Sequence, residues 1–233
     1  MLVTAMTNQL LPLLQWCDSN FPTGAFSHSF GLETYIQEGR VSDKETFAAW
    51  LYPYIQEQLV YTDGLICRFA YEALDKKDHD KIVYWDRLAA VQNLSRESRE
   101  ANIKMGRRFI QLGLEMYDIE DLRIYQKQVE SHQASGHPAI GFAIIAHHLG
   151  IPKPTAVLAY LYTCTSNMIQ NGVRGIPLGQ TDGQRLLQDL QSTLQKAADM
   201  IDGLEPDDFG SISPGLELSQ MRHERLNVRI FMS

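Results

Sequence analysis

Helix start signals recur along this chain, and they constrain its fold more than any other feature. Ser42 followed by Glu45 has the spacing of a capping box, in which two side chains satisfy free backbone amides at a helix start. Thr181 followed by Gln184 repeats the spacing, and the helix it opens runs to Gly203, a residue type that commonly ends helices. The alternation of apolar and polar residues that indicates a half-buried strand is nowhere persuasive. The pattern therefore predicts an all-α fold.

Hydrophobic periodicity predicts a single-domain bundle of about ten helices. Pro138 and Pro154 stand where a first helical turn begins, and Pro53 is expected to kink or split the third helix. The predicted helices are Gln9–Cys17, Ser27–Gln37, Asp43–Leu74, Asp78–Gln92, Arg96–Tyr117, Asp121–His132, Pro138–Leu149, Pro154–Val173, Asp182–Asp202 and Gly215–Leu226.

The C-terminal residues differ in character from the rest of the chain. The stretch LEPDDFGSISPG, which begins at Leu204, is acidic and contains proline and glycine, as is typical of a flexible connector. The residues after it are basic and amphipathic, and the last of them alternate apolar and polar side chains. We therefore expect an all-helical domain over residues 1–210, followed at 211–233 by a helix and a flexible tail that a partner orders.

Composition excludes several classes of protein. The formal net charge is −7, whereas nucleic acids and anionic membranes favour a basic surface. The three cysteines, Cys17, Cys67 and Cys164, lack CxxC spacing and fit reduced thiols. Because the sequence shows neither a signal peptide nor an apolar run of about 20 residues, we expect a cytoplasmic protein with no membrane or nucleic-acid partner.

Motifs of the common helical enzymes are missing from the sequence. There is no GxxxxGK[ST] to bind nucleotide phosphates, no HExxH, no Glu-x-x-His and no GxSxG. This absence favours a protein that binds other proteins and is not itself an enzyme.

Three residues are candidates for weak contact with a metal in passage: Cys17, His137 and His147. Each has a structural alternative, since free cysteines are commonly buried and His137 stands where it would cap a helix. His147 adjoins His148, and neighbouring side chains on a helix diverge by about 100°. Without a histidine-rich tract or paired cysteines, we expect no tightly bound metal or cofactor.

Arg174 lies in the glycine-rich sequence NGVRGIPLGQTDGQ, which we expect to form a loop between two helices. Glycines let a backbone approach another surface closely, so this loop could present the arginine to a partner. The alternative is an ordinary helix connection. Arg96, Arg99, Arg107 and Arg108 follow a predicted helix with interleaved glutamates, which favours a solvated face over a docking patch.

Five blocks of sequence carry a resemblance to a known family. They are PTGAFSHSFGLE from Pro22, SRESREANIKMGRRF from Ser95, ASGHPAIGFAIIAHHLGI from Ala134, NGVRGIPLGQTDGQRLL from Asn171 and MRHERLNVRIFMS from Met221. In order and spacing they resemble the urease accessory protein family UreF, over essentially the whole chain. Ala25 stands where a second glycine is common, and Gly175 where a bulkier residue is common.

The resemblance implies an all-helical homodimer that is not itself a GTPase. Such a protein would bind UreD (also called UreH), recruit the GTPase UreG and dock on apo-urease for nickel insertion, with nickel possibly in transit through it. The alternative is a GTPase-activating regulator that supplies UreG with an arginine such as Arg174.

The resemblance also implies partner-contact residues in three of the blocks. Their glycines and capping residues would equally suit tight turns. The candidates are Pro22, Gly24, Phe26, Ser27, His28 and Glu33 in the first block, Arg174, Gly179, Gln180 and Asp182 in the second, and Met221, Arg222, His223, Glu224, Arg229 and Phe231 in the third.

Overall fold

The computed structural model describes residues 2–210 and 213–233, with side chains from residue 9 onward. Its α-helices are α1 (Leu2–Cys17), α2 (Leu32–Gln37), α3 (Lys44–Pro53), α4 (Leu65–Asp75), α5 (His79–Gln92), α6 (Arg96–Met116), α7 (Glu120–Glu130), α8 (Pro138–His148), α9 (Lys153–Gly175), α10 (Gln180–Asp189), α11 (Gln191–Gly203) and α12 (Pro214–His223). A π-helical segment (Tyr54–Gly64) joins α3 to α4, and 3-10 turns occur at Ala25–Ser27 and Pro206–Asp208. No strand occurs in the described residues, which confirms the all-α prediction.

The centre of the bundle is formed by α4 and α8. Helix α4 packs against α5, α8 and α9, while α8 also packs against α6. Every residue of α8 from Pro138 to Ala146 is buried, because its sequence is apolar on all faces. Of the helices in the described part of the chain, none is long and apolar enough to cross a membrane.

Both predicted capping boxes are wrong in detail. The box at the start of α3 joins Asp43 and Thr46, one residue beyond the predicted pair Ser42 and Glu45: the Asp43 carboxylate accepts from the Thr46 amide at 2.8 Å, and the Thr46 hydroxyl accepts from the Asp43 amide at 3.1 Å. Helix α10 begins after Gly179 with no side-chain cap, so Thr181 and Gln184 lie inside the helix. The predicted helix 182–202 is divided at Leu190 into α10 and α11.

The second helix begins later than predicted. It starts at Leu32 and not at Ser27, because Phe30 and Gly31 adopt positive φ angles of 47° and 94°, which interrupt a right-handed helix. The residues before it therefore form a turn-containing segment. We call residues 22–34 the anchor segment.

Pro53 divides the long third helix as predicted. Regular α-helix ends at Pro53, and the next eleven residues form the π-helical segment before α4 begins. Proline removes a backbone donor, and π-helical turns are frequent at functional sites. Five residues of this segment, Gln58 and Asp63 among them, line a cavity described below.

Candidate functional site

The C-terminal residues dock along the anchor segment of the same chain. After α12 ends at His223, residues 224–233, here called the tail, run back beside Ser27 and Ser29. The Met232 amide donates to the Ser27 carbonyl at 2.8 Å, and the Ser29 amide and hydroxyl both donate to the main-chain oxygen of Ser233, at 2.6 and 2.7 Å. The sequence predicted that a partner would order these residues, but the structure provides a docking site within the chain. The predicted domain boundary after residue 210 falls at residues 211–212, outside those described, and stays a prediction.

The tail has one buried side and one exposed side. Phe231 and Ser233 are buried, at 3% and 1% exposure, whereas Val228, Ile230 and Met232 are between 53% and 74% exposed. The alternation predicted from the sequence therefore separates an inner from an outer face. We call the exposed residues Val228, Ile230 and Met232 the apolar ridge.

Glu33 is a buried residue that links the anchor segment to the tail. This side chain is only 1% exposed, yet its carboxylate accepts hydrogen bonds from the amides of Ile230 and Phe231. It also lies 2.8 Å from Nε2 of His223. Three donors thus surround a buried carboxylate, which is how a buried charge is stabilised.

His223 joins two carboxylates from different helices. Its Nε2 faces Glu33 of α2, and its Nδ1 lies 2.7 Å from a carboxylate oxygen of Glu97 in α6, whose other oxygen accepts from Arg229 at 2.7 Å. Burial raises the pKa of Glu97, but hydrogen bonds and charges from His223 and Arg229 outweigh it and leave that pKa below its usual value. A neutral imidazole has a single N–H, so the ring needs both protons to donate in both directions. We call Glu33, His223, Glu97 and Arg229 the histidine clamp.

The C-terminal end of α9 holds the other side of the anchor segment. Nδ2 of Asn171 donates to the carbonyls of His28 and Ala25, at 2.8 and 3.3 Å. The Arg174 guanidinium donates to the Phe26 carbonyl and lies 5.1 Å from the Phe231 ring centre. The prediction that Arg174 lies in a loop is wrong, because α9 continues to Gly175.

His28 is buried against the tail in its neutral form. Its Nδ1 lies 3.0 Å from the Ser233 hydroxyl. Burial lowers the pKa of His28 to about 4, with further contributions from the charges of Lys104 and His223. At neutral pH the ring therefore bonds to the tail without carrying a charge.

Other predicted contact residues lie at the margins of this site. Pro22 accepts from Arg108 through its carbonyl at 3.3 Å, and Gly24 has a positive φ of 89°. On α12 and just beyond it, Arg222 pairs with Glu38 and Glu224 pairs with Arg96, both at 3.2 Å, while Met221 is 38% exposed.

The start of α10 is a separate region. Gly179 and Gln180 are exposed there, and Asp182 pairs with Arg185 one turn away at 3.2 Å. In the described residues no hydrogen bond or ion pair joins Gly179, Gln180 or Asp182 to the tail.

The three candidate metal contacts occupy different parts of the molecule. Cys17 is buried, its thiol lies 3.8 Å from the Ala159 carbonyl, and burial raises its pKa. His147 pairs with Asp75 at 3.2 Å near the surface. His137 caps α8 through Nδ1, which accepts from the Ala139 amide at 3.3 Å. Within the described residues no group of three or more His, Cys, Asp or Glu could hold a metal ion.

A cavity of about 100 Å³ lies between the π-helical segment, α9, the anchor segment and α12. Its wall is partly polar, and its members include Asp63, His137, Tyr160, Cys164, Asn171 and Glu217. His137 was predicted as a metal contact, whereas Asp63 and Asn171 were missed, because nothing in their local sequence distinguishes them from ordinary helix residues.

Comparison with known proteins decides the family. The model of the UreF family matches residues 41–191, which is more than half of the chain. The chain belongs to the UreF family. It is 53% identical to the urease accessory protein UreF of Lachnoclostridium phytofermentans, over 98% of this chain and all of that protein. It is 50% identical to the urease accessory protein UreF of Bacillus sp. (strain TB-90), over 97% of this chain and all of that protein.

The UreF match and the docked tail cover different parts of the chain. The matched residues include the π-helical segment, α6 with Glu97, and α9 with Arg174. The anchor segment and the tail lie outside residues 41–191, but the anchor segment lies within the nearly full-length similarity to both UreF relatives. The geometry therefore brings together two terminal segments and the family's helical body.

Proposed function

We propose that this chain is a non-enzymatic scaffold for urease maturation, which organises UreD and the GTPase UreG on apo-urease for nickel insertion. Membership of the UreF family implies a urease accessory role. The structural support is that predicted contact residues of the anchor segment and the tail lie together with Arg174 at the end of α9, whereas Gly179, Gln180 and Asp182 lie apart.

The outer side of this face has the chemistry of a protein-binding surface. The apolar ridge and Phe26, which is 60% exposed, place large apolar side chains in solvent, and Arg174 lies 5.8 Å from the Phe26 ring centre. Exposed apolar patches with a polar rim are typical of interaction sites. The inner side is occupied by the histidine clamp, which fixes the ridge in place.

Co-expression tests the scaffold directly. The unmodified chain should co-purify with UreD and UreG, whereas a Val228→Ser/Ile230→Ser variant should lose the complex while keeping its fold. Val91→Ser is a matched control, because Val91 is 69% exposed on α5 and lines a groove with Gln128 of α7. Failure of the unmodified chain to form any complex would refute the proposal.

The second candidate function is activation of UreG by Arg174, whose side chain is exposed. An arginine inserted beside the transferred phosphate contributes on the order of 10³-fold or more in rate. In the structure, however, Arg174 bonds to Phe26 and lies against two aromatic rings, which favours a role in holding the tail. Arg174→Ala should therefore weaken UreG binding and any stimulation together. Loss of stimulation with intact binding would support the activator instead.

Nickel in transit is compatible with the partly polar wall of the cavity. Asp63 and Asn171 offer oxygen atoms at its wall, and Asn171 Oδ1 has no hydrogen-bond partner among the described residues. We propose that the protein is a cytoplasmic homodimer, through which nickel passes without being stored. Equilibrium dialysis of the isolated chain should therefore show no tight nickel binding, and a tightly bound ion would contradict the proposal. Sedimentation measurements test the dimer.

A further inference from the structure

One wall of the cavity belongs to an element that is attached mainly by polar contacts. Glu217 and Gln220 of α12 line the cavity opposite the π-helical segment, together with Phe30 of the anchor segment. Nε2 of Gln220 donates to the Phe30 carbonyl at 3.4 Å, so α12 and the anchor segment meet at this wall. Displacement of α12 would therefore open the cavity on that side.

We propose that α12 and the tail form a lid over this cavity, and that the histidine clamp holds the lid closed. The lid carries the apolar ridge of the proposed scaffold, but its opening is measured on the isolated chain, so its failure and the failure of the scaffold are distinguishable. It assigns a conformational role to His223, Glu33, Glu97 and Arg229.

Few apolar side chains attach the lid to the bundle. Across the described residues 213–233, the buried apolar side chains are Leu216 and Phe231. Most other contacts are hydrogen bonds and ion pairs, such as the Thr34 hydroxyl donating to the Ser219 carbonyl at 2.8 Å. Elements with few buried apolar contacts open at lower free energy than the core. The lid can therefore open while α4 and α8 stay folded.

The clamp concentrates the attachment in four ionisable side chains. His223 lies between the carboxylates of Glu33 and Glu97, and Arg229 pairs with Glu97, at the junction of α2, α6 and α12. Removing one partner from a buried charge pair is strongly destabilising, because the other charge stays buried and unpaired. His223→Gln removes the ring that bridges Glu33 and Glu97 and should raise the open fraction of the lid.

Thiol modification of the full chain measures the opening. Cys164 lines the cavity, whereas Cys67 is fully buried and lies outside it. Burial raises the pKa of both thiols, so little reactive thiolate forms at either, although Cys164 is partly exposed and Cys67 is not. We expect methyl methanethiosulfonate, followed by mass spectrometry, to show Cys164 modified at least about tenfold faster in His223→Gln, with Cys67 unchanged. His148→Gln, at an exposed histidine, should change neither rate.

Two results would overturn the lid. One is an equal rise at Cys67 and Cys164, which means that the whole core has loosened. The other is an unchanged Cys164 rate in a folded His223→Gln chain. If that variant does not fold, Arg229→Gln serves as the test variant. Arg229 lies at the exposed edge of the clamp, so its replacement should destabilise the fold less. A rise confined to Cys164 supports the lid, and no rise overturns it.

Discussion

Burial determines what single residues of the anchor segment do. Glu33 belongs to a block predicted to contact partners, yet it is 1% exposed and its carboxylate is occupied by His223 and two tail amides. Its effect on a partner is therefore indirect, through the position of the tail. Phe26, which is 60% exposed, is available for direct contact. The sequence identified both residues, but the partners of Glu33 lie about 190 residues away along the chain.

His28 should make the fold less stable in acid. Its pKa is about 4 in the folded chain and 6.5 in the unfolded chain, so the unfolded state binds more protons below pH 6.5. Stability should fall as the pH drops from 6.5 to 4, by up to about 2 kcal/mol once partial solvation is allowed for. Urea unfolding at several pH values measures this loss.

A His28→Gln variant separates this effect from the other titrating groups. The difference in stability between the two chains should shrink as the pH falls through that window. A difference that stays constant with pH would show that His28 does not titrate as described.

At the scale of elements, periodicity and proline position predicted most of the helices. Pro138 begins α8 and Pro53 ends α3, because proline restricts the backbone locally whatever surrounds it. Details that depend on tertiary contacts were not predictable. The N-cap of α3 is Asp43 and not the predicted Ser42. The break before α2 depends on positive φ angles at Phe30 and Gly31, where α12 packs closely.

Gly31 should be more sensitive to substitution than Gly39. Both have positive φ, at 94° and 69°, so alanine at either position costs about 1–2 kcal/mol. A Cβ at Gly31 would also lie 2.4 Å from Oγ of Ser219 in α12, whereas nothing lies within 4 Å at Gly39. The crowding should add about 1–3 kcal/mol in Gly31→Ala.

Urea unfolding of the two variants measures this difference. Hydrogen exchange should also rise in α12 for Gly31→Ala alone. Equal costs and equal exchange in the two variants would show that α12 does not pack against Gly31 as described.

At the scale of the whole molecule, the sequence indicated contact candidates in three blocks but did not reveal which of them lie together. Blocks that begin at Pro22, Asn171 and Met221 converge because the end of α9 bonds to the anchor segment, and the anchor segment in turn binds the tail. Cys17, His137 and His147 do not converge, since they lie in different parts of the fold. Spacing along a helical chain does not reveal which helix ends meet.

Hydrogen exchange of this chain with and without purified UreD tests the central claim most directly. A scaffold that binds through the described face should gain protection in the tail and the anchor segment, with little change on α5 around Val91. The Val228→Ser/Ile230→Ser variant should gain none. Protection confined to other helices, or equal protection in that variant, would contradict the account.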